Sequence, residues 1–150
     1  MEGVFLYRVK MVRDGRSVLA PRTVASSPRA VWRTLRGPNS PFVKYADRET
    51  FLSVLLSARN EVIGLNVISM GSLTASVVHP REVFKAALIM GASAIVVAHN
   101  HPSGDPEPSR EDREVTRALH EAGELLDVPL HDHVICCESG FYSFRDQGLL

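Results

Sequence analysis

The sequence predicts an α/β layer fold, a mixed β-sheet flanked by helices, with a small N-terminal β-hairpin and helix placed before it. Three observations carry this reading. From about residue 49 strand-like and helix-like stretches alternate, which implies helices packed on a sheet. The run Ala94-Ile-Val-Val-Ala98 is apolar throughout and bounded by turn residues, as a buried strand should be. Two stretches place Pro at a first helical position, after Ser27 and after His79, where its missing N–H costs nothing and its fixed φ suits the helix.

The elements follow in order. Residues 4–24 alternate apolar and polar around Asp14-Gly15, which predicts a hairpin with a type I′-compatible turn. Ser27 then caps a helix running to Gly37. The loop Gly37-Pro-Asn-Ser-Pro41 marks the expected boundary between an accessory unit, 1–40, and a core domain, 41–150. Stretches 49–57 and 61–69 form a second hairpin across Ala58-Arg-Asn60, followed by a Gly- and Ser-punctuated loop, 71–76. A helix from Pro80 to Gly91 precedes the buried strand, and another is expected from Ser109 to Leu126. A strand from Val128 to Cys136, a turn at Glu138-Ser-Gly140 and a short strand through Phe144 complete the chain. There is no internal repeat and no low-complexity segment.

Composition narrows the classes. The chain has 150 residues, enough for one domain, and 45% hydrophobic content supplies one packed core. Lys plus Arg (17) balance Asp plus Glu (17), so net charge gives no general pull toward nucleic acid or membrane. The N-terminal third is less even: over residues 8–36, Arg8, Lys10, Arg13, Arg16, Arg22, Arg29, Arg33 and Arg36 face Asp14 alone. Such a stretch reads as a nucleic-acid or other polyanion contact, or more simply as a solvated face. No apolar run approaches the ~20 residues a membrane span requires, and the N-terminus lacks the pattern of a secretory signal. Cys136 and Cys137 are adjacent, so they cannot form an ordinary structural disulfide with each other. A cytoplasmic setting fits that usage.

The chemistry concentrates between His99 and Asp112. Two imidazoles two residues apart at the C-terminal end of a strand point to one face and can reach one ion. Two imidazoles and a carboxylate, with a fourth position left for water, are the ligand set of a catalytic zinc. Ser109 and Asp112 also have capping-box spacing, and many helices begin that way with no catalytic role. Asn100 reads as a turn residue, and Gly104 as a loop position needing positive φ. The contiguous letters His-Asn-His do not make an HNH nuclease, whose residues are dispersed. The zinc deaminase pattern is absent.

His99-x-His101-Pro102 followed by Ser109-x-x-Asp112 resembles the JAMM (MPN+) metalloprotease motif, and the longer string from His99 to Asp112 resembles the RadC family in particular. His79-Pro-Arg-Glu-Val-Phe84 and Asp132-His133 are also similar to RadC, so the likeness covers roughly 48–150. The resemblance implies a JAMM/MPN fold of cytidine-deaminase-like type, with Zn2+ held by His99, His101 and Asp112. It implies further that Ser109 polarises a substrate oxygen and that an upstream glutamate acts as base. Glu49, just before an apolar strand, is preferred over Glu61 in a hairpin turn and over Glu82, whose place in a first helical turn the helix dipole already explains. His131-Asp132-His133 forms a second His-x-His, read as structural or as backing the metal ligands. Residues 1–40 stand where RadC proteins carry a helix-hairpin-helix region, which weakens any DNA-binding inference that leans on it.

Three functions compete: a zinc-dependent hydrolase of peptide or isopeptide bonds, a metal-dependent nuclease or DNA-processing factor, and a non-catalytic interaction module. The intact set of motif residues argues against the last.

Overall fold

The structure, a computed structural model, describes residues 3–15, 19–20, 22–44, 46–71 and 78–150. Its elements are α1 (Pro28–Leu35), α2 (Pro41–Lys44), β1 (Glu49–Leu56), β2 (Val62–Gly71), α3 (Pro80–Met90), β3 (Ala94–Asn100), α4 (Arg110–Leu126), β4 (Leu130–Cys136) and β5 (Phe141–Ser143). The expected α/β class is what forms. The strands make one mixed sheet in the order β2-β1-β3-β4-β5, with β3 and β4 the parallel pair.

Helices cover both faces. On one, Val83, Phe84 and Ala87 of α3 and Val115 and Leu119 of α4 pack with Phe51, Leu55, Ile95 and Val97. On the other, Val31 and Leu35 of α1 and Phe42 of α2 pack with Leu52, Val54, Val96, Ala98 and Val134. Strand β3 is buried along its whole length, so its apolar run has no solvent face on which to alternate. The helix starts follow the sequence signals: Ser27 Oγ accepts from Ala30 N, and α3 begins at Pro80 and ends on Gly91 at φ 65°. Gly123 is required by a close approach. A Cβ there would lie 2.8 Å from the Val128 carbonyl oxygen and 3.1 Å from Leu130 N, so only Gly lets α4 lie this near β4.

One sequence expectation fails. Among the described residues of 4–24 no hairpin forms, and Val24 makes only an isolated antiparallel bridge to Glu61. Residues 16–18 and 21 lie outside the described residues, as do most of the expected 71–76 loop. The physical reason is coverage. Val4, Phe5, Leu6, Tyr7 and Val9 are exposed, and a two-stranded hairpin with no layer against it is marginal. No helix among the described residues is long and apolar enough to cross a membrane.

Topology fixes where chemistry can happen. Strand β1 runs antiparallel to β3 with Phe51 opposite His99, so Glu49 lies at the sheet end where His99 and His101 emerge. The β1–β2 turn containing Glu61 is at the other end, about 23 Å away along the strand.

Candidate metal centre

Each ligand candidate is placed by a different local rule. His99 is the penultimate residue of β3 and is wholly buried; His101 follows the strand end and is half-buried. Asp112 is the third residue of α4, buried, and locked by a capping box: Ser109 Oγ accepts from Asp112 N (3.1 Å) and Asp112 Oδ2 accepts from Ser109 N (2.8 Å). The structural reading of the Ser109–Asp112 spacing is therefore correct. It leaves Asp112 Oδ1, and one side of Oδ2, for other work.

The three side chains converge. His99 Nε2 lies 2.9 Å from His101 Nε2 and 3.2 Å from Asp112 Oδ1, and His101 Nε2 lies 3.4 Å from Asp112 Oδ2. Ligand atoms around a tetrahedral zinc are about 3.3 Å apart, so this triangle is the size such an ion needs, and the group could hold a metal ion. Behind the ligating edge, His101 Nδ1 contacts the Asp105 carbonyl oxygen at 2.7 Å. A carbonyl only accepts, so Nδ1 carries the hydrogen and a neutral His101 presents a bare Nε2. Gly104, at φ 87°, lets the loop fold back to make that contact.

The electrostatics match a cation site. The hydrogen bond to Asp112 raises the His101 pKa against the opposing effect of burial, helped by the Asp105 carbonyl and by the charges of Asp112 and Glu49. Burial opposes ionisation of Asp112, but the His101 and His99 imidazoles beside it and the Ser109 backbone N–H outweigh it and hold the carboxyl well below its usual range. The cluster thus keeps a carboxylate ionised and draws positive charge toward the point between the three ligands.

Asn100 corrects a sequence expectation. It is a buried strand residue, not a turn residue. Its Oδ1 accepts from Thr50 N at 2.6 Å and its Nδ2 donates to the Arg48 carbonyl at 2.8 Å, so one amide grips the backbone on both sides of Glu49. Glu49 shares strand parity with Phe51, whose ring stacks on His99 at 5.8 Å. Its charge acts on His101. Glu82 instead pairs with Lys85 Nζ at 2.6 Å, and that contact lowers its pKa.

The second His-x-His is not brought to the cluster as a pair. His131 falls at a register shift, where Leu130 pairs with Ile95 and Asp132 with Val96, and it has no partner on β3. Its pKa is lowered by burial and then by Arg145. Asp132 is buried and binds His133 N, Arg145 N and Ser143 Oγ, which fastens β4 to the β5 turn; burial raises its pKa despite these bonds. His133 alone reaches a ligand, with Nε2 2.8 Å from His99 Nδ1. Thr116, which bridges His133 and Asp112, was not singled out by sequence. Its position one helical turn after Asp112 was the available signal. Past His101 runs a groove of about 420 Å³, bounded by Leu35, Phe42, Asn100, Pro102 and Cys137.

A sequence model of the RadC-like JAB domain matches residues 25–149. A UPF0758 protein of Symbiobacterium thermophilum is 49% identical over 124 residues, which cover 83% of this chain and 51% of that protein. One from Rubrobacter xylanophilus is 50% identical over 129 residues, 86% of this chain and 55% of that protein. One from Methanosarcina mazei is 41% identical over 130 residues, with 87% and 55% covered. The chain spans about half the length of the curated relatives it matches.

Proposed function

The chain belongs to the RadC-like JAB domain family, and on that premise we propose that it is a zinc-dependent hydrolase of the JAMM type, cutting a peptide or isopeptide bond. One observation supports this above the others: two imidazole nitrogens and a carboxylate face one another at 2.9 to 3.4 Å, with the far nitrogen of His101 already committed to a carbonyl. That arrangement is favourable with a cation, a metal ion or a proton, at its centre.

His99, His101 and Asp112 would hold the zinc, which supplies Lewis acidity and a water of lowered pKa. Glu49 takes a proton from the attacking water and delivers it to the leaving nitrogen as the C–N bond breaks. Asn100 keeps Glu49 in place through the backbone on either side of it. Ser109 spends its oxygen lone pair on the helix cap, so its hydroxyl hydrogen remains to donate to the substrate oxygen as charge develops there. The groove past His101 seats the substrate chain.

A second reading has its own observation. Arg29 and Arg33 are exposed on α1 and Arg36 just after it, and Arg36 borders the groove, which suits a nucleic-acid strand. One experiment separates the two. The zinc-loaded protein and its Glu49→Gln variant are incubated with an isopeptide panel and with single- and double-stranded DNA. Amide cleavage lost in the variant supports the hydrolase. Glu49-dependent DNA cleavage without amide cleavage would replace it with a nuclease.

A further inference from the structure

Behind His99 a line of hydrogen bonds returns to the ligand set from the other side. It runs from His99 Nδ1 to His133 Nε2 (2.8 Å), from His133 Nδ1 to Thr116 Oγ1 (2.6 Å), and from Thr116 Oγ1 to the Asp112 carbonyl oxygen (2.6 Å). We infer that Thr116 and His133 form a proton relay that holds His99 as its Nδ1–H tautomer, keeping Nε2 bare toward the metal position. The inference rests on the metal-centre reading above and adds two positioning residues to it.

The proton positions follow in sequence from the one group with no choice. The Asp112 carbonyl can only accept, so the Thr116 hydroxyl hydrogen points to it. Thr116 Oγ1 must then accept from His133 Nδ1–H. His133 is fully buried, stacked on Phe144 at 4.8 Å and edge-on to Phe51 at 5.5 Å. No carboxylate touches its ring nitrogens, which are both occupied by Thr116 and His99, so the ring is neutral and its Nε2 accepts. His99 Nδ1 is therefore the donor.

The relay opposes what His99 would otherwise do. With Asp112 Oδ1 3.2 Å from His99 Nε2, an unconstrained imidazole gains most by placing its hydrogen on Nε2, in the space the ion needs. The hydrogen bond to a buried neutral histidine commits that hydrogen to the opposite edge. Outer partners of metal-bound histidines commonly act in this way. Here the chain ends on the backbone of another ligand, so the seating of α4 sets the tautomer of a residue on β3.

The test reads the tautomer directly. Long-range ¹⁵N–¹H correlation spectra of the metal-free protein, in mildly alkaline solution, should show both His99 and His133 protonated on Nδ1. Thr116→Val keeps the side-chain shape and removes the hydroxyl. It should move His99 toward the Nε2–H form and weaken zinc binding about 10-fold, the low end for outer-shell partners. Thr116→Ser should restore both, which separates the relay from a packing effect. Nε2–H on His99 in the parent, or a Thr116→Val protein with the parent's tautomers and zinc affinity, overturns the inference. If the tautomers are as assigned but the parent binds no zinc, the relay stands and the metal-centre reading fails.

Discussion

His99-x-His101 and His131-x-His133 share one spacing on neighbouring parallel strands, yet they have opposite fates. The first pair straddles the C-terminal end of β3, where the chain leaves the sheet and both Nε2 atoms meet at 2.9 Å. The second lies deeper in the sheet, because His133 pairs with Val97, two residues before His99, while His99 pairs with Ile135. The register shift at Leu130–Asp132 removes His131 from the ladder altogether. A His-x-His is therefore a candidate ligand pair by position along a strand, not by spacing. The deeper pair still contributes one member, His133, which faces the back of His99 rather than the candidate metal position.

The most direct way to break this contrast is to delete one histidine from each pair. His101→Ala should reduce bound zinc from about one per chain to background, and His131→Ala should leave it unchanged, by elemental analysis of protein purified without added metal. Zinc kept by the first variant and lost by the second would invert the assignment. The same comparison tests the base: Glu49→Gln should retain zinc but slow amide cleavage by at least ~10²-fold, the lower range for acid–base catalysis. A variant as fast as its parent would remove Glu49 from the mechanism.

Helix α4 serves both pairs, through Asp112 to the first and Thr116 to the second. Its seat against β4 depends on Gly123, where a Cβ would meet backbone at 2.8 and 3.1 Å. Gly123→Ala should cost about 1–3 kcal/mol in denaturant unfolding, the usual range for overpacking. Stability equal to the parent's would show that α4 can shift without loss.

The smallest effect is in pH. In metal-free protein His101 should titrate above its ordinary value near 6.5 and His131 below it. For His101, with the folded pKa raised, the stabilisation is full below 6.5 and is lost as pH rises through the folded value. For His131, with the folded pKa lowered, the stabilisation is present above 6.5 and is lost as pH falls through the folded value. Zinc reverses the balance at the first pair, since its ligands must be deprotonated, so bound metal should leave as pH falls. Histidine NMR titrations with and without zinc read both slopes, and a His101 midpoint at or below 6.5 without metal would contradict the cation-drawing cluster.

Much of the fold was legible because its signals are local. Pro at a first helical position, Gly91 after a helix and an unbroken apolar strand each record a backbone constraint in one or two letters. The N-terminal segment shows the limit of such reading. Its apolar–polar alternation is sound, but alternation stabilises a strand only when another layer covers the apolar side, and Val4 to Val9 remain exposed. Asn100 shows the converse: a residue type common in turns is retained inside a strand because its amide ties two backbone groups around Glu49.

The sequence by itself determined the α/β class, the order of its core elements and the three residues that converge as candidate ligands, because residue type and spacing encode strand faces and helix starts. Only the tertiary structure decided how deep in the sheet each His-x-His sits, and at which sheet ends Glu49 and Glu61 lie. It alone joined Thr116 and His133 to Asp112 and His99. Those choices depend on strand direction, on register and on hydrogen bonds between residues far apart in the chain, none of which a local pattern contains.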